Sequence, residues 1–187
     1  MKRQHQTLLI ASTLALSWLA MQVVHELGHV FAAWATGGRV AEVKLHPLAI
    51  SYTLLAENPH PLWVAWMGPI VGVSLPVLAW TIAHRATLRG GYVFQFFAGF
   101  CLVANGAYLA GGSLFETGDA ADIMRYGTPR AILLLFGLVT IPVGFWIWNG
   151  LGRHFGLGDK TGHVDRAVCY VVTLILSAVV VLELAFD

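Results

Sequence analysis

His25, Glu26 and His29 lie in the run VVHELGHVFAAW and form the pattern H-E-x-x-H. On a helix, positions four apart share a face, so both imidazoles can turn to one metal ion. Glu26 directly follows the first histidine, where a carboxylate can reach a water held by that ion. Zinc lowers the pKa of such a water to ~7, and a carboxylate can then take its proton. The residue types suit hydrolysis: neutral nitrogens for the metal and an acceptor for the proton. A Glu inside a membrane helix costs on the order of 2–3 kcal/mol, so ionisable groups there are mostly functional. The plainer alternative has His25 and His29 as interfacial polar residues and Glu26 paired with an arginine.

Such a pattern needs a long helix to carry it, and the composition supplies one. Of 187 residues, 57% are apolar and 11% charged, against ~45–50% and ~25% in a soluble domain. So few charges cannot coat a water-soluble globule, and so much apolar surface excludes disorder. Eleven Lys and Arg nearly balance ten Asp and Glu, which speaks against a nucleic-acid partner. Cys101 and Cys169 sit in apolar runs and offer no disulfide framework or thiolate zinc site. The expected class is an all-α polytopic membrane protein, integral and multi-pass in the cell membrane, with one transmembrane domain over 1–187.

Five apolar stretches are long enough to span: Thr7–Trp34, Pro61–Ala83, Gly91–Phe115, Ala131–Leu151 and Ala167–Phe186. Each reaches or exceeds the ~20 residues that cross a ~30 Å hydrocarbon core, and helices satisfy their own backbone there. Pro76 and Pro142 fall inside spans and predict kinks. Lys2, Arg3 and TLLIASTLAL resemble a signal peptide. No small-x-small site follows, and Trp18 stands where a small residue is wanted, so the first span is expected to stay uncleaved. With the N-terminus inside, seven basic residues (Lys2, Arg3, Arg85, Arg89, Arg153, Lys160, Arg166) collect on the cytoplasmic side and four on the other, a small positive-inside bias. Residues 37–57, GGRVAEVKLHPLAISYTLLAE, alternate in part. They predict a β-hairpin at the membrane surface, with Leu48, Ile50, Tyr52 and Leu54 in its second strand and Pro47 at the turn. Gly37-Gly38 is a good helix stop.

HELGH late in the first span, a GG stop, a hairpin, then Gly68-Pro69 in the next span resemble the site-2 protease family of intramembrane zinc metallopeptidases, the M50 clan. The resemblance covers roughly residues 15–125. It implies a Zn2+ ion held by the two histidines and one Asp from a later membrane helix, with the Glu as general base. It also implies cleavage of a membrane-protein substrate within or beside a span. By this resemblance the metalloprotease core is 7–125, with helices 7–36, 61–84 and 91–115 and hairpin 38–56, and 129–187 adds two helices.

The family's Leu-Asp-Gly motif is absent; NGAYLAGGSLFETGDAADIM stands in its place. Asp119 follows a Gly and precedes a small residue, as the family's ligand roughly does, and is the first choice for third ligand. Asp122 is the second and Glu116 the third. All three can instead be solvated acids, with a short helix over 119–126. Spans one and three run in the same direction if span two crosses between them, so H-E-x-x-H and this acidic cluster fall toward one membrane face. Asn105 is a candidate to hydrogen-bond substrate backbone or a zinc ligand; helix–helix bonding is its alternative. Gly68-Pro69 can equally be a kink with close packing, and Gly99, Gly106, Gly111 and Gly112 are expected at helix contacts. Gln22 lies one turn before His25 and is either a donor beside the site or a bundle-facing amide. His46, His60, His84, His154 and His163 read as interfacial residues, Glu183 as a snorkelling one, and the tryptophans as an aromatic belt.

The expected mechanism has Glu26 take a proton as water attacks a peptide carbonyl and return it to the leaving amine. The hairpin can hold an unwound substrate by strand addition. The rival readings are a non-catalytic metal-binding scaffold or regulatory subunit, and a metal-ion transporter.

Overall fold

The computed structural model describes residues 2–158 and 164–185. Lys160, His163 and Phe186, placed by the sequence in a linker and at a span end, lie outside them. The chain forms α1 (Lys2–Ala35), β1 (Arg39–Lys44), β2 (Tyr52–Glu57), α2 (Pro61–Arg85), α3 (Gly91–Phe115), α4 (Gly118–Arg125), α5 (Arg130–Trp148), a 3-10 turn (Leu151–Phe155) and α6 (Arg166–Ala185). Five of the helices, α1, α2, α3, α5 and α6, are long and apolar enough to cross a membrane. The all-helical class with one hairpin after the first helix is therefore as expected.

The helix packing follows from small residues. Gly99 and Gly106 of α3 are seven apart and face Gly144 and Gly137 of α5. A Cβ on Gly144 would lie 2.8 Å from the Gly99 carbonyl oxygen, and one on Gly137 would lie 2.8 Å from that of Gly106. The two backbones thus touch directly, which is how membrane helices gain contact when lipid removes the hydrophobic drive. Gly111 departs from expectation: nothing lies within 4 Å of where its Cβ would be, because it sits off the stripe that faces α5.

α1 is the hub. It packs on α2, α3, α6, both strands and the 3-10 turn. It ends in a Schellman motif. Gly38 N–H donates to Ala33 O at 2.7 Å and Gly37 N–H to Trp34 O at 3.3 Å, with Gly37 at φ +78°. That left-handed residue turns the chain back along α1. The two strands then pair antiparallel, Lys44 against Tyr52 and Arg39 against Glu57.

Three expectations need correction. β2 starts at Tyr52, not Leu48. A turn in which Ala49 N–H donates to His46 O, with Leu48 N–H on His46 Nδ1, takes residues 46–49 out of the ladder. Span four ends at Trp148, so Leu151 belongs to the 3-10 turn instead; Gly150 at φ +79° separates the two. Glu183 does not snorkel. It is 8% exposed, and its Oε2 has no hydrogen-bond partner among the described residues. The titratable group acting on its charge is His46 of the hairpin turn.

Candidate metal centre

His25 and His29 sit one turn apart on α1 and are both buried. Their outer nitrogens are held first. Asn105 Nδ2 donates to Cys101 O at 2.9 Å, which turns its Oδ1 toward His25 Nδ1 at 2.8 Å. An amide oxygen only accepts, so His25 Nδ1 carries the proton. His29 Nδ1 lies 2.9 Å from Val64 O, again an acceptor only, so it also carries the proton. Both Nε2 atoms are then bare lone pairs in the neutral rings.

These lone pairs converge. The two Nε2 atoms are 3.1 Å apart, and Asp119 Oδ2 lies 2.8 Å from His25 Nε2 and 3.4 Å from His29 Nε2. Three acceptors this close repel one another unless a cation stands among them. One ligand atom from each of His25, His29 and Asp119 lies within 4.8 Å of the others, and this buried group could hold a metal ion. Two imidazole nitrogens, oriented by their outer N–H bonds, and one carboxylate oxygen are a donor set that suits zinc.

Asp119 reaches the histidines because the chain reverses after α3. Glu116 at φ +56° ends that helix, and Gly118 at φ +58° starts α4. Ala120 and Ile123 anchor α4 against Leu109, Ala65 and Leu133. Tyr108 Oη accepts from Asp119 N–H at 3.1 Å, and its ring meets His25 edge-on. Asp122 is exposed and stands outside the triad, though it lines the same cavity. Glu116 is exposed and paired with Arg130 at 2.8 Å.

α2 makes room for the cluster. A Cβ on Gly68 would overlap the His29 ring and come within 2.9 Å of His25 Nε2; one on Gly72 would lie 2.7 Å from Asn105 Oδ1. Close packing, weighed for Gly68-Pro69, is thus packing against the histidines themselves.

Glu26 is 5% exposed and is gripped by the hairpin. Ser51 Oγ donates to Oε1 at 2.9 Å and Thr53 Oγ1 to Oε2 at 2.6 Å. Gln22 Oε1 accepts from Ser51 N–H at 2.8 Å, which pins the strand to α1. Ser51 and Thr53 were not singled out from the sequence, yet they are two apart in extended chain at the start of β2 and so turn to one side. Asn105 meets His25, one of the candidate ligands.

No protein-family model, no curated protein and no solved structure matches the chain. The likeness to the intramembrane metallopeptidases therefore rests on the residues quoted above.

Proposed function

We propose that this chain is an intramembrane zinc metallopeptidase that hydrolyses peptide bonds in or beside the spans of membrane-protein substrates in the cell membrane. One observation carries the reading: a His–His–Asp group and an adjacent Glu are buried together among helices long and apolar enough to span. Binding a metal needs only the triad. A second, separately oriented carboxylate is what a hydrolase adds.

His25, His29 and Asp119 would hold the ion, which when bound supplies Lewis acidity for the carbonyl and for water. Glu26 accepts the proton that water loses on attack and gives it to the leaving nitrogen. Ser51 and Thr53 fix the carboxylate so that it need not reorient during transfer. Asn105 and Val64 hold the imidazoles in the tautomer that leaves Nε2 free. Residues 7–125 form the catalytic core in this reading, and 129–187 supply two packing helices.

Metal analysis of the purified protein beside four variants tests it. Wild type, Glu26→Gln and Asp122→Ala are expected to retain about one zinc per chain, and His25→Ala and Asp119→Ala to lose most of it. Glu26→Gln is further expected to abolish turnover. Zinc retained in Asp119→Ala, or turnover retained in Glu26→Gln, counts against the proposal; the latter favours a scaffold or a transporter.

A further inference from the structure

Two cavities of opposite character meet at the triad. One, of about 230 Å³, has an apolar side made by Trp18, Met21, Ile50 and Ala104, with Gln22, Ser51 and Asn105 beside His25 and Glu26 on the other. Trp18 and Met21 precede the histidines on α1, so this chamber lies between that part of α1, α3 and the Ile50–Ser51 end of the hairpin connection. The other, of about 260 Å³, is bounded by Thr53, Asn58, Asp122 and Tyr126, with His29 and Asp119 in its wall. It sits where β2, the start of α2 and α4 meet. Its lining includes no Lys or Arg. Arg39 and Arg130 are engaged with Glu57 and Glu116. Asp119 is committed to the histidines, so Asp122 is the acid this chamber offers to a ligand, with Arg125 three residues on in the same helix.

We infer that the site selects a peptide segment at the border of a span, with apolar side chains in the Trp18–Met21 chamber and a basic side chain opposite Asp122. This rests on the hydrolase reading and names its substrate class: an apolar run followed by Lys or Arg. A peptide lying across the triad must put one side of its cleaved bond in each chamber. An acidic residue at the second position would meet Asp122 without a counter-charge, and a wholly apolar segment would leave Asn58 and Asp122 facing hydrocarbon.

The test uses synthetic single-span Leu/Ala peptides that differ only in the residue after the apolar run: Lys, Gln or Glu. Binding to the zinc-loaded Glu26→Gln protein in phosphatidylcholine vesicles is read by fluorescence anisotropy, and cleavage by wild type from a quenched pair. The order Lys, then Gln, then Glu is expected, with about a three- to fivefold step at each, the size of a partly screened ion pair. Asp122→Lys is expected to invert the order and Asp122→Asn to flatten it, with zinc content as the check that each variant is folded. A flat series in the unsubstituted site, an order that survives both substitutions, or no binding overturns the inference. Lys-selective binding without any cleavage by wild type would instead sink the hydrolase reading and leave the chamber assignment standing. Cleavage indifferent to charge would do the reverse.

Discussion

Asn105 occupies no ligand position, yet its amide decides which nitrogen of His25 faces Asp119. Replacing it by Leu frees the ring to take the other tautomer. Zinc affinity is expected to fall roughly 10–100-fold, as when such supporting bonds are removed elsewhere, measured by competition with a chelator. Asn105→Asp keeps the acceptor and is expected to keep most of the affinity. The hydroxyls on Glu26 act differently, since they touch the base and not the ion. The pair Ser51→Ala and Thr53→Val is expected to lower kcat with zinc content unchanged, and Thr53→Ser to restore it. Equal loss of zinc would show that the hairpin supports the whole site. The histidines and Glu26 were legible in sequence because they are close neighbours on one helix. Asp119 was legible only as the best of three acids. What singles it out is a pair of left-handed residues, Glu116 and Gly118, and Glu is not a residue that announces such a backbone.

At the scale of elements, glycines separate site from scaffold. Gly68→Ala places a methyl on the His29 ring and is expected to remove zinc binding, whereas Gly111→Ala meets nothing and is expected to stabilise α3 by about 0.5–1 kcal/mol. Zinc titration and thermal unfolding in detergent distinguish the two. Proline at Val40–Lys44 is expected to cut cleavage of a helical substrate and spare zinc content, because it removes ladder donors and leaves His25, His29 and Asp119 in place. The spans were readable from hydropathy alone, since lipid leaves no other spanning structure open to an apolar chain of this kind. The second strand was readable only in part. In it Thr53 and Leu55 turn inward, as does Ser51 just before it, while Tyr52 and Leu54 are 43% and 51% exposed. Leu55 packs on Ala32 and Ala33, as strand reading in water would have it, but Thr53 turns inward because it serves a carboxylate.

Across the whole molecule, α6 is tied to the bundle at its first turn. Asp165 accepts from Arg89 Nε at 2.8 Å and Nη2 at 3.0 Å, and its Oδ1 also accepts from Ala167 N–H at 2.9 Å. The Arg89 hydrogen bond, more than any other influence, holds the Asp165 carboxyl below its ordinary range. A depressed folded pKa means that its contribution is present above the unfolded value of 3.8 and is lost as pH falls through the folded one. Asp165→Asn keeps the helix cap but not the charge. Its melting temperature is expected to lie slightly below wild type at pH 7 and to converge with it in acid, whereas Asp165→Ala also loses the cap, about 1 kcal/mol more. A gap between wild type and Asp165→Asn that does not narrow in acid would argue that the ion pair is not its source. The length of α1 has a wider consequence. Its 34 residues make a rod of about 51 Å at ~1.5 Å per residue, against ~30 Å of hydrocarbon. Such a rod leans or stands proud of the bilayer. His25 and His29 ride in its far third, so their immersion is fixed jointly by protein and lipid: a thicker membrane draws the imidazole pair under, and a thinner one lifts it toward water.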